Sequence, residues 1–198
     1  MKRSTALFLV MLLVATLAVS TMAAKVKFTN LDDWGEVVGT GTWEDDGGVW
    51  IPGPDTENWL RSHKKYKNFI LEFDAILQGR TLVLVRSIAE EAPFYFGAGI
   101  DMVSTGDIRM RRWEDGGWAP IYQHNSPVLM SFDWGEPLHF KVTVKGDIAR
   151  FEIFHEDGEP IIDDEVEVGD FTDAGIIWLR STSPNNETII ENLTIEEL

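Results

Sequence analysis

An arginine- and tryptophan-rich stretch is the part of this sequence best suited to ligand chemistry. Arg109, Arg111 and Arg112 fall within four residues, and Trp113 and Trp118 bracket the Gly-containing turn that follows. Sugars present apolar C–H faces and rings of hydroxyls, which proteins bind with flat aromatic rings flanked by charged hydrogen-bonding groups. The spacing therefore indicates a glycan-binding hairpin. In the alternative interpretation, both tryptophans cap a core and the arginines pair with local acids.

The residue patterns of several enzyme classes are missing. Retaining glycosidases of the jelly-roll type carry Glu-x-Asp-x-x-Glu on one strand, which holds acid and nucleophile about 5–5.5 Å apart. Glu72 and Asp74 begin such a pattern, but Leu77 stands at its third position. The chain has no cysteine and no Gly-x-Ser-x-Gly elbow. A glucanase of that kind is therefore excluded, and no nucleophilic triad can be assigned to the four histidines, His63, His124, His139 and His155.

Metal binding receives limited support from the sequence. Zinc-ligand spacing is absent. Calcium prefers clustered oxygen ligands, and acidic residues in predicted loops supply them at Asp32, Asp33, Asp45, Asp46, Asp115, Asp163 and Asp164. Turn formation and solubility explain most of these acids. We therefore predict no cofactor and no metal-binding residues, with a structural calcium ion as the alternative.

Alternation of apolar and polar residues predicts the elements that must position these groups. Leu138–Lys145, Phe69–Ile76 and Ile189–Glu196 alternate with period two, which is typical of strands with one buried face. Further strands are expected at Thr81–Ser87, Phe94–Met102, Asp107–Trp113, Ile148–Phe154 and Gly175–Arg180. No mature segment of ten residues has helical spacing. Short strands with frequent turns predict an all-β, two-sheet antiparallel jelly-roll sandwich.

The first 24 residues differ from the rest. Lys2 and Arg3 precede an apolar run from Ala6 to Val19, and small residues follow up to Ala24. This order is typical of a secretory signal peptide, cut after residue 23 or 24. The alternative is an uncleaved anchor, but the run is shorter than the roughly 20 residues that span a bilayer. Residues 25–198 are predicted to form one domain, secreted or periplasmic, without stable membrane insertion.

The charge balance restricts the partners. Seventeen Lys and Arg residues stand against 33 Asp and Glu residues, giving a net charge of −16. Phosphate backbones and anionic lipid surfaces are repelled by such a field. Nucleic acid is therefore excluded as a partner, and the acidity is explained by solubility.

A series of short motifs extends along most of the mature chain, namely Phe28–Trp34, Trp43–Val49, Trp59–Ser62, Tyr66–Phe73, Leu84–Arg86, Gly175–Arg180 and Ile190–Ile195. In this order they resemble the 3-keto-disaccharide hydrolase-type domain of the concanavalin A-like jelly-roll superfamily. The resemblance implies a concave sheet on which glycans bind. Four polar residues of predicted strands, Glu72, Arg86, Tyr95 and Asp101, would meet on that sheet if their strands are neighbours. Arg86, Tyr95 and Asp101 thus join Arg109, Arg111, Trp113 and Trp118 as predicted ligand-binding residues.

Three functions remain open at this point. The leading hypothesis is a secreted domain that binds a glycan or a sugar-derived small molecule. The resemblance implies the alternative, a hydrolase or lyase acting on 3-keto-glycosides, which needs a base and a cation to hold an enolate. Glu72, Asp101 and Arg86 are the residues that such catalysis would use. The third hypothesis is a structural or adhesive extracellular module.

Overall fold

The computed structural model describes residues 24–53, 58–76, 80–87, 97–102, 107–114, 117–125, 136–168, 173–182 and 188–198. These parts contain one short helix, α1 (Leu31–Trp34), and fifteen strands. The strands are β1 (Val26–Lys27), β2 (Gly35–Val38), β3 (Thr42–Glu44), β4 (Val49–Ile51), β5 (Asn58–Ser62), β6 (Phe69–Ile76), β7 (Arg80–Ser87), β8 (Gly97–Met102), β9 (Asp107–Glu114), β10 (Gly117–Asn125), β11 (Pro137–Lys145), β12 (Ile148–His155), β13 (Pro160–Glu167), β14 (Ile176–Thr182) and β15 (Ile189–Glu197). Residues 1–23, which contain the signal-like segment, lie outside the described residues. The cleavage site and the domain boundary therefore remain predictions.

The strands form two antiparallel sheets. The eight-stranded sheet has the order β13-β12-β11-β6-β15-β4-β3, with β1 also paired to β15. The seven-stranded sheet has the order β10-β9-β8-β7-β14-β5-β2. Consecutive strands form the outer parts of each sheet, and late strands β14 and β15 join early ones in the middle. The all-β two-sheet sandwich predicted from the alternation is confirmed.

The core lies between the two sheets. Phe69, Leu71, Phe73 and Ala75 on β6 are buried, and each lies directly across from a buried apolar residue of β11. The rings of Phe73 and Phe140 stack with centroids 4.8 Å apart and planes 3° apart. The seven-stranded sheet contributes buried aliphatic side chains to the same cluster, namely Leu60, Val83, Val85, Ile177 and Leu179. The alternating pattern of each strand thus determines which of its two faces is buried.

One strand departs from the regular alternation. The sequence places Ile189, Glu191, Leu193 and Ile195 on one face of β15, but the buried residues are Ile190, Leu193 and Ile195. The register against β6 shifts between Glu191 and Thr194, and Asn192 there has a φ of 55°. The extra residue is a β-bulge, which changes the face that the following residues occupy. The predicted face of Ile189 and Glu191 is therefore wrong, while that of Leu193 and Ile195 is confirmed.

A buried tyrosine gives the fold a dependence on alkaline pH. Tyr66, 4% exposed, bridges to Gly175 through backbone hydrogen bonds. Burial, aided by Glu197, raises the pKa of Tyr66 to about 12 from its ordinary value of 10.0. A raised pKa stabilises the folded state fully below pH 10, and that contribution is lost as the pH rises towards 12.

We therefore expect the free energy of unfolding of the wild type to fall more steeply between pH 10 and 12 than that of Tyr66→Phe. Urea denaturation curves of both proteins, collected at several pH values across this window and at pH 8, measure the difference. Parallel losses of stability in the two proteins would contradict this assignment.

Candidate functional site

The face of the seven-stranded sheet that points away from the core carries two large aromatic residues. Trp59 and Trp178 are only 2% and 3% exposed, yet neither belongs to the core cluster between the sheets. On β5 and β14, Leu60 and Leu179 enter that core. Because successive residues of a strand point to opposite faces, the residues on either side of each leucine share the opposite face. This face therefore holds Trp59, Arg61, Trp178 and Arg180, which we call the Trp–Arg quartet.

Strand pairing builds the quartet from two identical tetrapeptides. Trp-Leu-Arg-Ser occurs at residues 59–62 and again at residues 178–181. Because β5 and β14 are antiparallel, Trp59 lies directly across from Arg180, and Arg61 lies directly across from Trp178. Each arginine thus faces the tryptophan of the other copy, which gives the quartet an approximate local two-fold arrangement.

The aromatic rings hold the two guanidinium groups in place. The indoles of Trp59 and Trp178 meet edge-to-face, with centroids 5.5 Å apart and planes at 80°. The guanidinium carbon of Arg180 lies 5.3 Å from the centroid of Trp59, and that of Arg61 lies 5.5 Å from the centroid of Trp178. Such cation–π contacts contribute about 0.5–2 kcal/mol each, more when water is excluded. The tryptophans are therefore a platform, and the arginines form its polar surface.

One carboxylate orients part of this surface. Glu36 on β2 lies directly across from Arg61, and its Oε1 lies 2.7 Å from Nη2 of Arg61. The Arg61 side chain is 21% exposed and that of Glu36 is 43% exposed, so the pair sits at the solvent boundary. A pair exposed to this degree contributes at most about 1 kcal/mol to stability. Its main effect is to orient the guanidinium group.

The hydrogen-bonding register extends the quartet into two rows that cross the sheet. One row of directly opposed residues runs Trp59, Arg180, Leu82, Asp101, Arg109 and Gln123. The other runs Glu36, Arg61, Trp178, Leu84, Gly99, Arg111 and Pro120. Directly opposed residues of antiparallel strands occupy the same face of a sheet. Three of the predicted ligand-binding residues, Asp101, Arg109 and Arg111, therefore hold register positions in the rows of the quartet.

The predicted Trp/Arg hairpin is present in the backbone. Strands β9 and β10 pair antiparallel on either side of residues 115–116, and Trp113 lies directly across from Trp118. Trp113 also lies across from Gly97 of β8, one row beyond Arg111. The hairpin is thus the outer edge of the same sheet, and Tyr95 lies outside the described residues.

Arg86 lies in a different setting from the one that the sequence suggested. Its side chain is fully buried, and its φ of 51° lies in the left-handed region. Nε donates to the carbonyl oxygen of Lys67 at 2.7 Å, Nη2 donates to Oδ1 of Asn68 at 3.1 Å, and Nη1 donates to the carbonyl oxygen of Gly146. Burial lowers the pKa of Arg86, and Asp147 and Asp173 oppose that shift. The enclosed guanidinium group bonds to two loops, at residues 67–68 and at residue 146, which favours a structural role. The ligand-binding or catalytic role of Arg86 stays a prediction.

Glu72 does not join the other candidates. It lies on β6 of the eight-stranded sheet, where it forms an ion pair with Lys25. Asp101 and Arg86 lie on β8 and β7 of the opposite sheet. Although β6 and β7 are consecutive, the chain crosses from one sheet to the other between them. The expected meeting of Glu72 with Arg86 and Asp101 is therefore not found.

The outer face of the eight-stranded sheet carries a second polar cluster. Asp74 Oδ1 lies 2.7 Å from Nδ1 of His139, and Asp74 Oδ2 accepts a hydrogen bond of 2.8 Å from the side-chain amide of Asn192. Lys27 donates to the other end of that amide at 2.8 Å. The bulge in β15 places Asn192 within this chain of contacts. Every member already has a partner within the cluster, so the arrangement can stabilise the sheet without a ligand.

An acidic groove lies at one end of the same sheet. Its volume is about 690 Å³, and it is lined by Glu136, Pro137, His155, Glu156, Asp157 and Glu159. Within the described residues, no three acidic or histidine side chains converge as they would around a metal ion. Of the aspartates that could supply calcium ligands, Asp115 lies outside those residues, and Asp163 instead makes an ion pair with Arg150 at 2.6 Å. A structural calcium ion thus remains an expectation from sequence.

Solved structures resemble this architecture at low sequence identity. The lumenal domain of VIP36 in its Ca²⁺- and Man3GlcNAc-bound form matches with a TM-score of 0.61 and 11% identity, covering 87% of each chain. A legume lectin-like domain from Entamoeba histolytica matches with a TM-score of 0.60 and 14% identity, covering 87% of this chain and 97% of the other. The fold is a concanavalin A-like jelly roll. A candidate glycosyl hydrolase from Parabacteroides distasonis shares it, with a TM-score of 0.54, 14% identity, and coverage of 88% of this chain and all of the other.

Sequence comparison is less informative than structure. No protein-family model and no curated protein sequence matches the chain. The jelly-roll part of the resemblance is confirmed by the structures, and its 3-keto-disaccharide hydrolase part remains a prediction. Across the residues that the structure describes, no helix has the length and apolar character needed to cross a bilayer.

The quartet was the main feature that residue-by-residue interpretation missed. Local sequence patterns assigned no ligand-binding role to Trp59, Arg61, Trp178 or Arg180. The repeated Trp-Leu-Arg-Ser tetrapeptide was the available signal. It acquires meaning only when the two copies are known to pair.

Proposed function

We propose that this protein is an extracellular glycan-binding domain whose ligand site is the non-core face of the seven-stranded sheet. The observation that carries the proposal is the Trp–Arg quartet, in which two buried indoles fix two guanidinium groups at the solvent boundary. Sugar hydroxyls and ring oxygens accept hydrogen bonds, and arginine offers five donors in a rigid fork. Because the rings restrict both side chains before binding, less conformational entropy is lost when a ligand is bound.

The proposed site extends along the two rows towards β9 and β10. Asp101, Arg109 and Arg111 hold register positions in those rows. Trp113 and Trp118 hold paired positions at the edge of the sheet, and aromatic residues are the type that binds the apolar faces of sugar rings. The lectin-like structures bearing the same fold, one of them with Man3GlcNAc bound, agree with this class of ligand. Export to an extracellular compartment is proposed from the signal-like segment at residues 1–24.

The enzymatic alternative receives less support from the described residues. Catalysis on 3-keto-glycosides would use Glu72, Asp101 and Arg86 together, but Glu72 and Asp101 lie in different sheets and Arg86 is enclosed. Such chemistry requires a base and a cation at one site. The three residues assigned to it are not brought together, so the described residues support binding better than turnover.

The double variant Arg61→Ala/Arg180→Ala tests the proposal. We expect its affinity for glycans retained by the wild type on a glycan array to fall at least about ten-fold, the equivalent of ~1.4 kcal/mol. The reason is that both guanidinium groups are lost while the tryptophan platform remains. Isothermal titration with the best array ligand measures the change.

Arg150→Ala is the matched control. Arg150 is a strand arginine that pairs with Asp163 on the other sheet, so its removal should change affinity less than about two-fold. Circular dichroism and thermal melting confirm that each variant is folded. Full affinity in the double variant, or equal loss in the control, would refute the assignment of the face. Release of sugars from a 3-keto-disaccharide by the wild type would instead establish the enzyme.

A further inference from the structure

Two hydroxyl groups in the interior lack hydrogen-bond partners. Thr81 on β7 and Ser181 on β14 are 1% and 0% exposed. They lie directly across from each other in the register of the two strands. Within the part of the chain that the structure describes, neither side-chain oxygen forms a hydrogen bond, with the other or with any third group. A buried polar group without a partner costs free energy, so the pair calls for an explanation.

Strand geometry turns both side chains towards the space between the sheets. Leu179 and Val83 are a neighbouring opposed pair on the same two strands, and both belong to the core cluster. Because side chains alternate along a strand, residues two positions away occupy the same face. Thr81 and Ser181 therefore point inwards as well. Asn58 lies across from Ser181 on its other side and is fully buried, so a polar row borders the apolar core behind the quartet.

The serine of the other Trp-Leu-Arg-Ser copy provides a comparison. Ser62 is also fully buried, but its hydroxyl accepts a hydrogen bond of 3.0 Å from the backbone N–H of Ile177. The same hydroxyl donates to the carbonyl oxygen of Lys64 at 2.9 Å. Ser181 ends the second copy and has neither kind of contact. The serine is thus bonded to backbone in one copy, and in the other it faces a second hydroxyl that lacks a partner.

The spacing of the pair suits one water molecule. Cβ atoms of directly opposed residues in antiparallel strands are about 4.5–5.5 Å apart. Hydroxyl groups on such positions can both reach one oxygen atom between them at the ordinary O–H···O length of about 2.7–2.8 Å. Buried waters occupy polar sites of this kind and bond to groups that otherwise stay unsatisfied. Water both donates and accepts, so it can complement two hydroxyls at once.

We propose that a buried water molecule bridges Oγ1 of Thr81 and Oγ of Ser181 and is an integral part of the fold. Ser181 directly follows Arg180, so the bridge adds a side-chain link between β14 and β7 beside the quartet. The water therefore helps to hold two strands of the proposed ligand face. This proposal does not depend on what that face binds.

A high-resolution crystal structure of the wild type tests the site directly. We expect a density peak between the two strands, within about 3.2 Å of both side-chain oxygens. Thr81→Ser keeps the hydroxyl and should retain the peak, whereas Thr81→Val has nearly the same shape without the hydroxyl and should lose it. A direct bond between the two hydroxyls, or a bond from both of them to protein groups with no peak between them, would overturn the proposal.

A double-mutant cycle tests whether the two hydroxyls share one partner. Thr81→Val and Ser181→Ala should each lower the thermal midpoint by about 2–4 °C. The double variant should lose clearly less than the sum, because either substitution already breaks the bridge. Ser62→Ala combined with Thr81→Val is the matched control and should be additive, because the hydroxyl of Ser62 bonds to backbone elsewhere. Unchanged midpoints, or additive losses in the Thr81 and Ser181 pair, would contradict the bridge.

Discussion

Replacement of Arg86 by alanine is expected to lower the free energy of unfolding by about 3–5 kcal/mol, because it removes three hydrogen bonds made by a charged group. The fully buried guanidinium group donates to the carbonyl oxygens of Lys67 and Gly146 and to the amide oxygen of Asn68. Alanine would remove these three hydrogen bonds and open a cavity where the side chain lay. Hydrogen bonds to a charged group contribute about 1.5–3 kcal/mol each.

The structure around Arg86 has little room to rearrange after a substitution. Gly175 lies so close that an added Cβ would stand 2.3 Å from the carbonyl carbon of Arg86, so the backbones are in direct contact. A lysine at position 86 has no fork with which to reach three acceptors, and Arg86→Lys should recover less than half of the loss.

Urea denaturation of Arg86→Ala, Arg86→Lys and Arg150→Ala measures these differences. Arg150 pairs with Asp163 at the surface, so its removal should change the free energy of unfolding far less than removal of Arg86 does. A stability of Arg86→Ala within 1 kcal/mol of wild type would contradict the structural role and return Arg86 to the set of functional candidates.

The second large effect concerns the centre of the core. Phe73→Ala is expected to destabilise the protein by about 3–5 kcal/mol, because the substitution removes a fully buried ring and leaves a cavity against Phe140. The two rings stack at 4.8 Å, so collapse of neighbouring side chains can fill the space only in part. The urea midpoint, measured with an unchanged slope, gives the loss.

Phe154 supplies a matched control for Phe73. It lies on β12 beside buried Ile153 but is itself only partly buried, with its ring 6.1 Å from that of His139 on the outer face. Phe154→Ala should cost about 1 kcal/mol, since little apolar surface is returned to water. Equal losses for the two phenylalanines would mean that the assignment of faces in the eight-stranded sheet is incorrect.

Local sequence patterns predicted most of the long strands. The alternation in Phe69–Ile76 and Leu138–Lys145 predicted the strands and their buried faces, because the two-residue period of a strand is a property of consecutive residues. The Trp113/Trp118 hairpin followed from the turn residues between its strands for the same reason. The bulge at Asn192 was missed, since an extra residue in one strand is defined only against its partner.

The candidate site depended on contacts between distant segments. Glu72 and Arg86 are 14 positions apart, yet the crossing between β6 and β7 puts them on different sheets. From the sequence, Arg86 was expected to lie on a strand and present its side chain to a ligand. In the structure, loops at residues 67–68 and 146 enclose that side chain. Asp101, Arg109 and Arg111 lie on strands, as the sequence predicted, and the register places them in shared rows. Their ligand-binding role stays a prediction.

By itself, the sequence determined the strand content, the absence of disulfides, the acidic balance and the two copies of Trp-Leu-Arg-Ser. All of these are set by composition or by neighbours along the chain. Only the tertiary structure decided that β5 and β14 pair, although over a hundred residues separate them, and so brought each arginine onto the opposite tryptophan. Strand order results from burying the apolar faces of all the strands in one shared interior. This requirement involves the whole chain, so the sequence of a single segment cannot predict it.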